Sequence, residues 1–160
     1  MKHLTSWINE NRGEIKHYVD AILVSESDQI LILRRANYMK TFGGKWGFVG
    51  GSIDKNDKNN KEAIIREIKE ETKIELTFNE QQKMKVIDKV SHERKDGSIE
   101  SDTEYWLIKL ETNPEVKISR EHSKYEWINE NTFKDETFKF MPNVFDYIQM
   151  YFNGDLNADN

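Results

Sequence analysis

Three features of the sequence predict an α/β fold. Two β-branched, almost continuously apolar segments, "HYVDAILVSE" and "QILILRR", lie close together and flank "SDQ". A helix-period segment follows a polar, turn-forming stretch, "SIDKNDKNN". Two longer strand-like segments, "KMKVIDKVSHE" and "TEYWLIKLET", then surround the loop "RKDGSIE". Neither an internal repeat nor a low-complexity linker divides these elements, so they belong to one unit. A chain of 160 residues suits a single domain, because that size hides roughly 70% of its unfolded surface. The domain is expected over 1–154, with 155–160 a frayed tail.

The elements follow from local chemistry. "TSWINEN" is read as a short helix capped by Thr5 or Ser6 and stopped by Gly13. The first two apolar segments are read as strands joined by a tight turn, and their unbroken apolarity implies burial on both faces of a sheet. From Ala36 to Lys45 the chain is a loop, and "WGFV" is a short strand running into Gly50 and Gly51. Asn59 or Asn60 caps a helix from about Lys61 to Thr72, with Ile64, Ile65, Ile68 and Thr72 on one stripe. The long strands form a hairpin, "YEWI" is a short strand, and "PNVFDYIQMYF" is a C-terminal helix starting at its proline.

Composition narrows the function. The 29 acidic and 24 basic residues give a net charge of -5, which argues against a nucleic-acid duplex as partner. Cysteine is absent, and His3, His17, His92 and His122 show no ligand spacing, so neither a disulfide framework nor a zinc site is expected. There is no apolar run of about 20 residues and the N-terminus lacks a signal-peptide core, so a cytoplasmic protein without a membrane partner is the expectation.

The segment "REIKEE" carries Glu67, Glu70 and Glu71. Helical offsets of three and four place them on one face, where like charges repel. Two readings stand at this point. One is a solvated helix face, with Arg66 paired to Glu70 at i,i+4. The other is a cation site in which a divalent ion turns repulsion into affinity. The glutamates are placed largely opposite the apolar stripe. A strand ending in Gly50-Gly51, whose carbonyls are open to close approach, strengthens the cation reading, and hard oxygen donors suit Mg²⁺ or Mn²⁺. Two other motifs fail. "DKNDKNN" lacks the glycine and final glutamate of an EF-hand, and Lys45 is followed by Trp46, so no Walker loop cradles phosphate.

"GGSIDKNDKNNKEAIIREIKEETKI" resembles the signature box of the Nudix hydrolases, most closely at "REIKEE". Upstream, "ILILRRANYMKTFGGKWGFVGG" resembles the family's lead-in, and "EHSKYEWI" its later Glu-His and Trp-bearing strand, so the likeness covers Tyr18 to Ile128. The resemblance implies an α/β/α sandwich around a mixed β-sheet. It also implies a Mg²⁺- or Mn²⁺-dependent pyrophosphohydrolase acting on a nucleoside diphosphate linked to another group. By position, Glu67, Glu70 and Glu71 would be metal-binding and catalytic, Arg66 would orient them, and the Gly50 carbonyl would be a further ligand. The box departs from the family in three places. Lys73 replaces its second glycine and Val49 a usual proline. With a loop one residue longer, its first glutamate falls at Lys58 by strict count or at Asp57 with one insertion.

A water must attack phosphorus, and a base must take its proton. Glu67 and Glu121 are the candidates that the resemblance supplies, while Glu93, Glu100 and Glu104 near the hairpin loop stay open. Arg34 and Arg35 are candidates to clamp the substrate, against solvation of a strand edge. Trp46 and Trp127 are read as packing and His122 as structural. The expected partner is a small nucleotide. A nucleoside triphosphate or a modified form comes first, with nucleotide sugars, ADP-ribose and dinucleoside polyphosphates as alternatives. A nucleotide-metabolite sensor that does not hydrolyse is the competing class. The sequence leaves the oligomeric state open, a homodimer included.

Overall fold

The β-branched run Lys16–Val24 (β1) becomes the centre of the sheet because both of its faces are apolar. The computed structural model describes residues 14–156. Val19, Ala21 and Leu23 enter one core cluster, and Ile22 and Val24 enter another on the opposite face. The neighbouring strand Ile30–Arg35 (β2) divides in the same way, with Leu31 and Leu33 on the first side and Ile30 and Ile32 on the second. This is the two-faced burial that uninterrupted apolarity predicts.

The remaining strands are Trp46–Gly47 (β3), Val49–Ser52 (β4), Lys85–Glu93 (β5), Ile99–Lys109 (β6) and His122–Ile128 (β7). The main path of the seven-stranded sheet is β3-β2-β1-β6-β5, with β4 paired to β1 and β7 to β2. The β1–β6 pair is parallel and the other strand pairs are antiparallel, so the sheet is mixed. Helix α1 (Asn60–Thr72) covers one face through Ala63, Ile64 and Ile68, and α3 (Val144–Phe152) covers the other through Val144, Tyr147 and Ile148. The architecture is an α/β/α sandwich. Each fully buried isoleucine of α1 contributes about 1.5–3 kcal/mol of apolar transfer, which fixes the helix to the sheet.

Asn59 is the cap of α1, its side chain accepting from the Glu62 N–H at 2.8 Å. The helix ends at Lys73, which takes the left-handed conformation with φ 62° and donates its N–H to the Lys69 carbonyl. That is the place where a helix favours glycine, which accounts for the glycine of the resembled pattern.

Some sequence expectations need correction. A short helix, α2 (Phe78–Lys83), was not anticipated, although Thr77 and Glu80 form a reciprocal capping box. The strand expected at "YEWI" begins earlier, at His122, because the chain pairs with β2 as far as Arg35. Helix α3 starts at Val144 rather than at Pro142, since Asn143 adopts φ 72° and cannot continue a right-handed turn. Of the tail expected to fray over 155–160, Asp155 donates its N–H to the Met150 carbonyl and Leu156 is buried in the second cluster, and 157–160 lie outside the described residues. The helix expected at Thr5 lies outside the described residues.

Candidate active site

The glycine pair forms the middle of β4, where α1 packs against it. Glu67 and Glu71 continue the Ala63 row of the helix, beside the Ile64–Ile68–Thr72 row, so they point toward the sheet and are buried. The expectation that the glutamates lie opposite the apolar stripe is therefore wrong for these two. Glu70 alone is largely exposed, its side chain 59% accessible. Room for buried carboxylates comes from the glycines. A Cβ on Gly51 would sit 2.5 Å from Glu67 Oε1, and the Gly50 N–H points to Glu71 Oε2 at 3.4 Å.

Arg66 organises the mouth of this pocket. Its Nε and Nη2 reach the two Asp57 oxygens at 2.9 Å each, its Nη1 reaches Glu67 at 3.0 Å and Glu70 at 3.2 Å, and Nη2 also donates to the Ser52 carbonyl at 3.1 Å. Asp57 thus forms a bidentate pair, and its hydrogen bonds from Arg66 hold its carboxyl below the usual range. Asp57 ties the loop before α1 to the helix. Lys58, the strict-count position, takes no such place in the Arg66 network.

Deeper in, charge is not matched. Burial pushes the Glu71 carboxyl well above its ordinary pKa, and the charges of Glu67, Asp20 and Glu121 push the same way. Glu67 is raised by burial, against the pull of Arg66. His122 Nε2 lies 3.8 Å from Glu71 Oε2, but burial and the nearby Arg35 press the imidazole down to about 4, so it is neutral and adds no cation. Its Nδ1 is buried without a hydrogen-bond partner among the described residues.

Sequence reading missed Asp20. It pairs in register with Gly50, and a Cβ there would fall 2.0 Å from Asp20 Oδ1. Burial, followed by the Glu67 charge, raises its carboxyl to about 7, with Arg35 opposing. The available signal was a lone aspartate inside the apolar run "YVDAILV".

The cleft has a volume of about 480 Å³ and is lined by Arg35, Gly50, Gly51, Glu67, Glu70, Glu71 and Glu121, among others. Arg35 faces it while its Nε donates to the Thr41 carbonyl at 2.8 Å. Arg34 instead donates to Ser123 at 2.9 Å and to Asn37 at 3.2 Å, bracing the start of β7 and the loop after β2. Glu93, Glu100 and Glu104 are not among the lining residues, and Glu104 accepts from Asn60 at 3.0 Å. Trp46 is core, set edge-on to Phe138, and Trp127 packs against the first cluster.

Among the described residues no three acidic or imidazole side chains are gathered closely enough to hold a metal ion as they stand. Arg66 engages Glu67 and Glu70 in this arrangement. The donor chemistry nevertheless fits Mg²⁺ or Mn²⁺. Hard carboxylate oxygens are clustered at one pocket wall, and Glu71 is held there at an electrostatic cost that a divalent cation would reverse.

The sandwich together with this acidic, glycine-floored cleft defines a pyrophosphohydrolase. The chain belongs to the Nudix family, whose NUDIX domain model matches residues 16–148. The MutT protein from Methanosarcina mazei Go1 superposes with a TM-score of 0.64 and 26% identity, over 88% of this chain and 94% of that one. The NUDIX domain of Shewanella oneidensis NrtR, complexed with ADP ribose, gives 0.70 at 19% identity over 96% and 99%. A bifunctional NMN adenylyltransferase/ADP ribose pyrophosphatase from Francisella tularensis gives 0.73 at 19% identity, over 93% of this chain but only 44% of that one. Another structure of the Francisella protein contains AMP and a manganese ion. No curated protein sequence matches. Among the described residues no helix is long and apolar enough to cross a membrane.

Proposed function

We propose that this chain, as a single Nudix unit, hydrolyses the pyrophosphate bond of a nucleoside diphosphate-linked substrate, with a nucleoside triphosphate or a modified form as first choice. The observation that carries this reading is the convergence of buried, unmatched carboxylates and Arg35 on one cleft. Glu67, Glu70, Glu71 and the Gly50 carbonyl would hold Mg²⁺ or Mn²⁺. Such an ion, when bound, supplies charge neutralisation at phosphoryl oxygens and acidifies water.

The protein's own groups do the rest. Arg35, which lines the same cleft, binds substrate phosphate, leaving Arg34 to its bracing role. Arg66, fixed by Asp57, sets the side-chain directions of Glu67 and Glu70. Glu121 accepts the proton of the attacking water at a carboxylate oxygen. It lines the cleft without being drawn into the Arg66 network, and its charge is felt by both Glu67 and Glu71. Glu67, held by Arg66, is the weaker base candidate.

The test is a panel of nucleoside triphosphates, their oxidised forms, ADP-ribose, nucleotide sugars and dinucleoside polyphosphates, incubated with Mg²⁺ and resolved by product. Cleavage within the pyrophosphate that stops in excess chelator is expected. Tight binding of a panel member with no product from any would identify a sensor and overturn hydrolysis.

A further inference from the structure

Tyr38 is the most exposed tyrosine of the cleft's surroundings, with 69% of its surface open, yet its hydroxyl donates to the Arg120 carbonyl. Two residues earlier, the Ala36 N–H donates to the Glu121 carbonyl at 2.8 Å. These acceptors belong to the two peptide units on either side of the Glu121 Cα. The loop between β2 and β3 therefore grips Glu121 from both flanks.

That loop is itself braced from within. Arg35 Nε holds the Thr41 carbonyl at 2.8 Å, Arg34 holds Asn37 at 3.2 Å, and the Met39 N–H donates to Ala36 at 3.1 Å. A Cβ on Gly43 would lie 2.8 Å from the carbonyl oxygens of both Asn37 and Met39, so the loop is closed tightly on itself. A solvent-open tyrosine hydroxyl adds little to global stability. What it does is join a rigid loop to the segment 119–121 that forms a wall of the cleft.

We propose that Tyr38 is a positioning residue for Glu121, its hydroxyl fixing the Arg120–Glu121 peptide so that the carboxylate is aimed into the cleft. This rests on the reading of Glu121 as the base. A base must lie within hydrogen-bond reach of the proton it removes, so freedom in its backbone lowers the populated fraction of reactive geometry.

The experiment compares Tyr38→Phe, Glu121→Gln and the double variant on the panel nucleotide that the wild type cleaves fastest. Tyr38→Phe is expected to lower kcat about 5- to 10-fold with KM within about twofold. In the Glu121→Gln background it should change kcat by less than about twofold, since there is no base left to aim. Amide hydrogen exchange supplies a readout besides activity: Tyr38→Phe should speed exchange in residues 119–122 and leave β1 and α1 unchanged. An equal loss of kcat in both backgrounds, a loss expressed only in KM, or unchanged exchange with unchanged kcat would overturn the positioning role. A slow Glu121→Gln beside a wild-type Tyr38→Phe removes the positioning role and leaves the base standing. Wild-type turnover by Glu121→Gln removes both.

Discussion

The outer and inner parts of the acidic cleft treat their carboxylates in opposite ways. At the mouth, Asp57 is answered by Nε and Nη2 along one edge of the Arg66 guanidinium, at 2.9 Å each, and its acidity is strengthened. On the floor, Glu71 has a long hydrogen bond from the Gly50 N–H and a neutral imidazole beside it, Asp20 has the opposing charge of Arg35, and burial outweighs this relief, so the acidity of both is weakened. The matched pair builds the scaffold, because removing its charge would lose a hydrogen-bonded tie between loop and helix. The unmatched pair stores affinity for something positive that the protein does not itself provide.

The largest effect should come from the floor. Glu71→Gln keeps size and helix propensity but removes an anionic metal donor, so turnover should fall by about 100-fold or more. Its melting temperature in chelator should not drop, because a buried like charge is removed. Near-wild-type turnover would leave this helix face non-catalytic. Asp57→Ala should act on stability as well, lowering unfolding free energy by about 1.5–3 kcal/mol in denaturant titration through loss of charge-assisted hydrogen bonds.

Asp20 sharpens the contrast through pH. Its folded carboxyl titrates near 7, above its ordinary value of 3.8, so folding takes up a proton between those limits. The stability it contributes is present at low pH and is lost as pH rises through about 7. In chelator, Asp20→Asn and wild type should melt at similar temperatures at pH 5, with the variant pulling ahead by a few degrees at pH 8. A gap that shrinks with rising pH would refute the assignment. The smallest effect belongs to the helix end, where Lys73→Gly should relieve a left-handed residue and stabilise by up to about 1 kcal/mol without altering turnover.

These contrasts also mark what the sequence disclosed. Apolar runs revealed the strands of the central sheet, and the spacing of Ile64 and Ile68 revealed α1, because periodicity reports local burial directly. The acidic character of the site was legible in Arg66 to Glu71. Its orientation was not: Glu67 and Glu71 read as lying opposite the apolar stripe until the missing side chains of Gly50 and Gly51 show where a carboxylate can go. Asp57 was one of two positions left open by spacing, and only the reach of Arg66 across nine residues separates it from Lys58. Asp20 and Tyr38 act through strand register and loop closure over 30 and 82 residues, distances at which no local pattern exists.

The central claim is that the unmatched carboxylates of the floor await a divalent cation. Calorimetric titration of Mn²⁺ into wild type and Glu71→Gln at pH 7.5 tests it most directly. Saturable binding by wild type, weakened at least about tenfold in Glu71→Gln, is the predicted result. Equal affinity in the two proteins, or no binding by wild type, would contradict it.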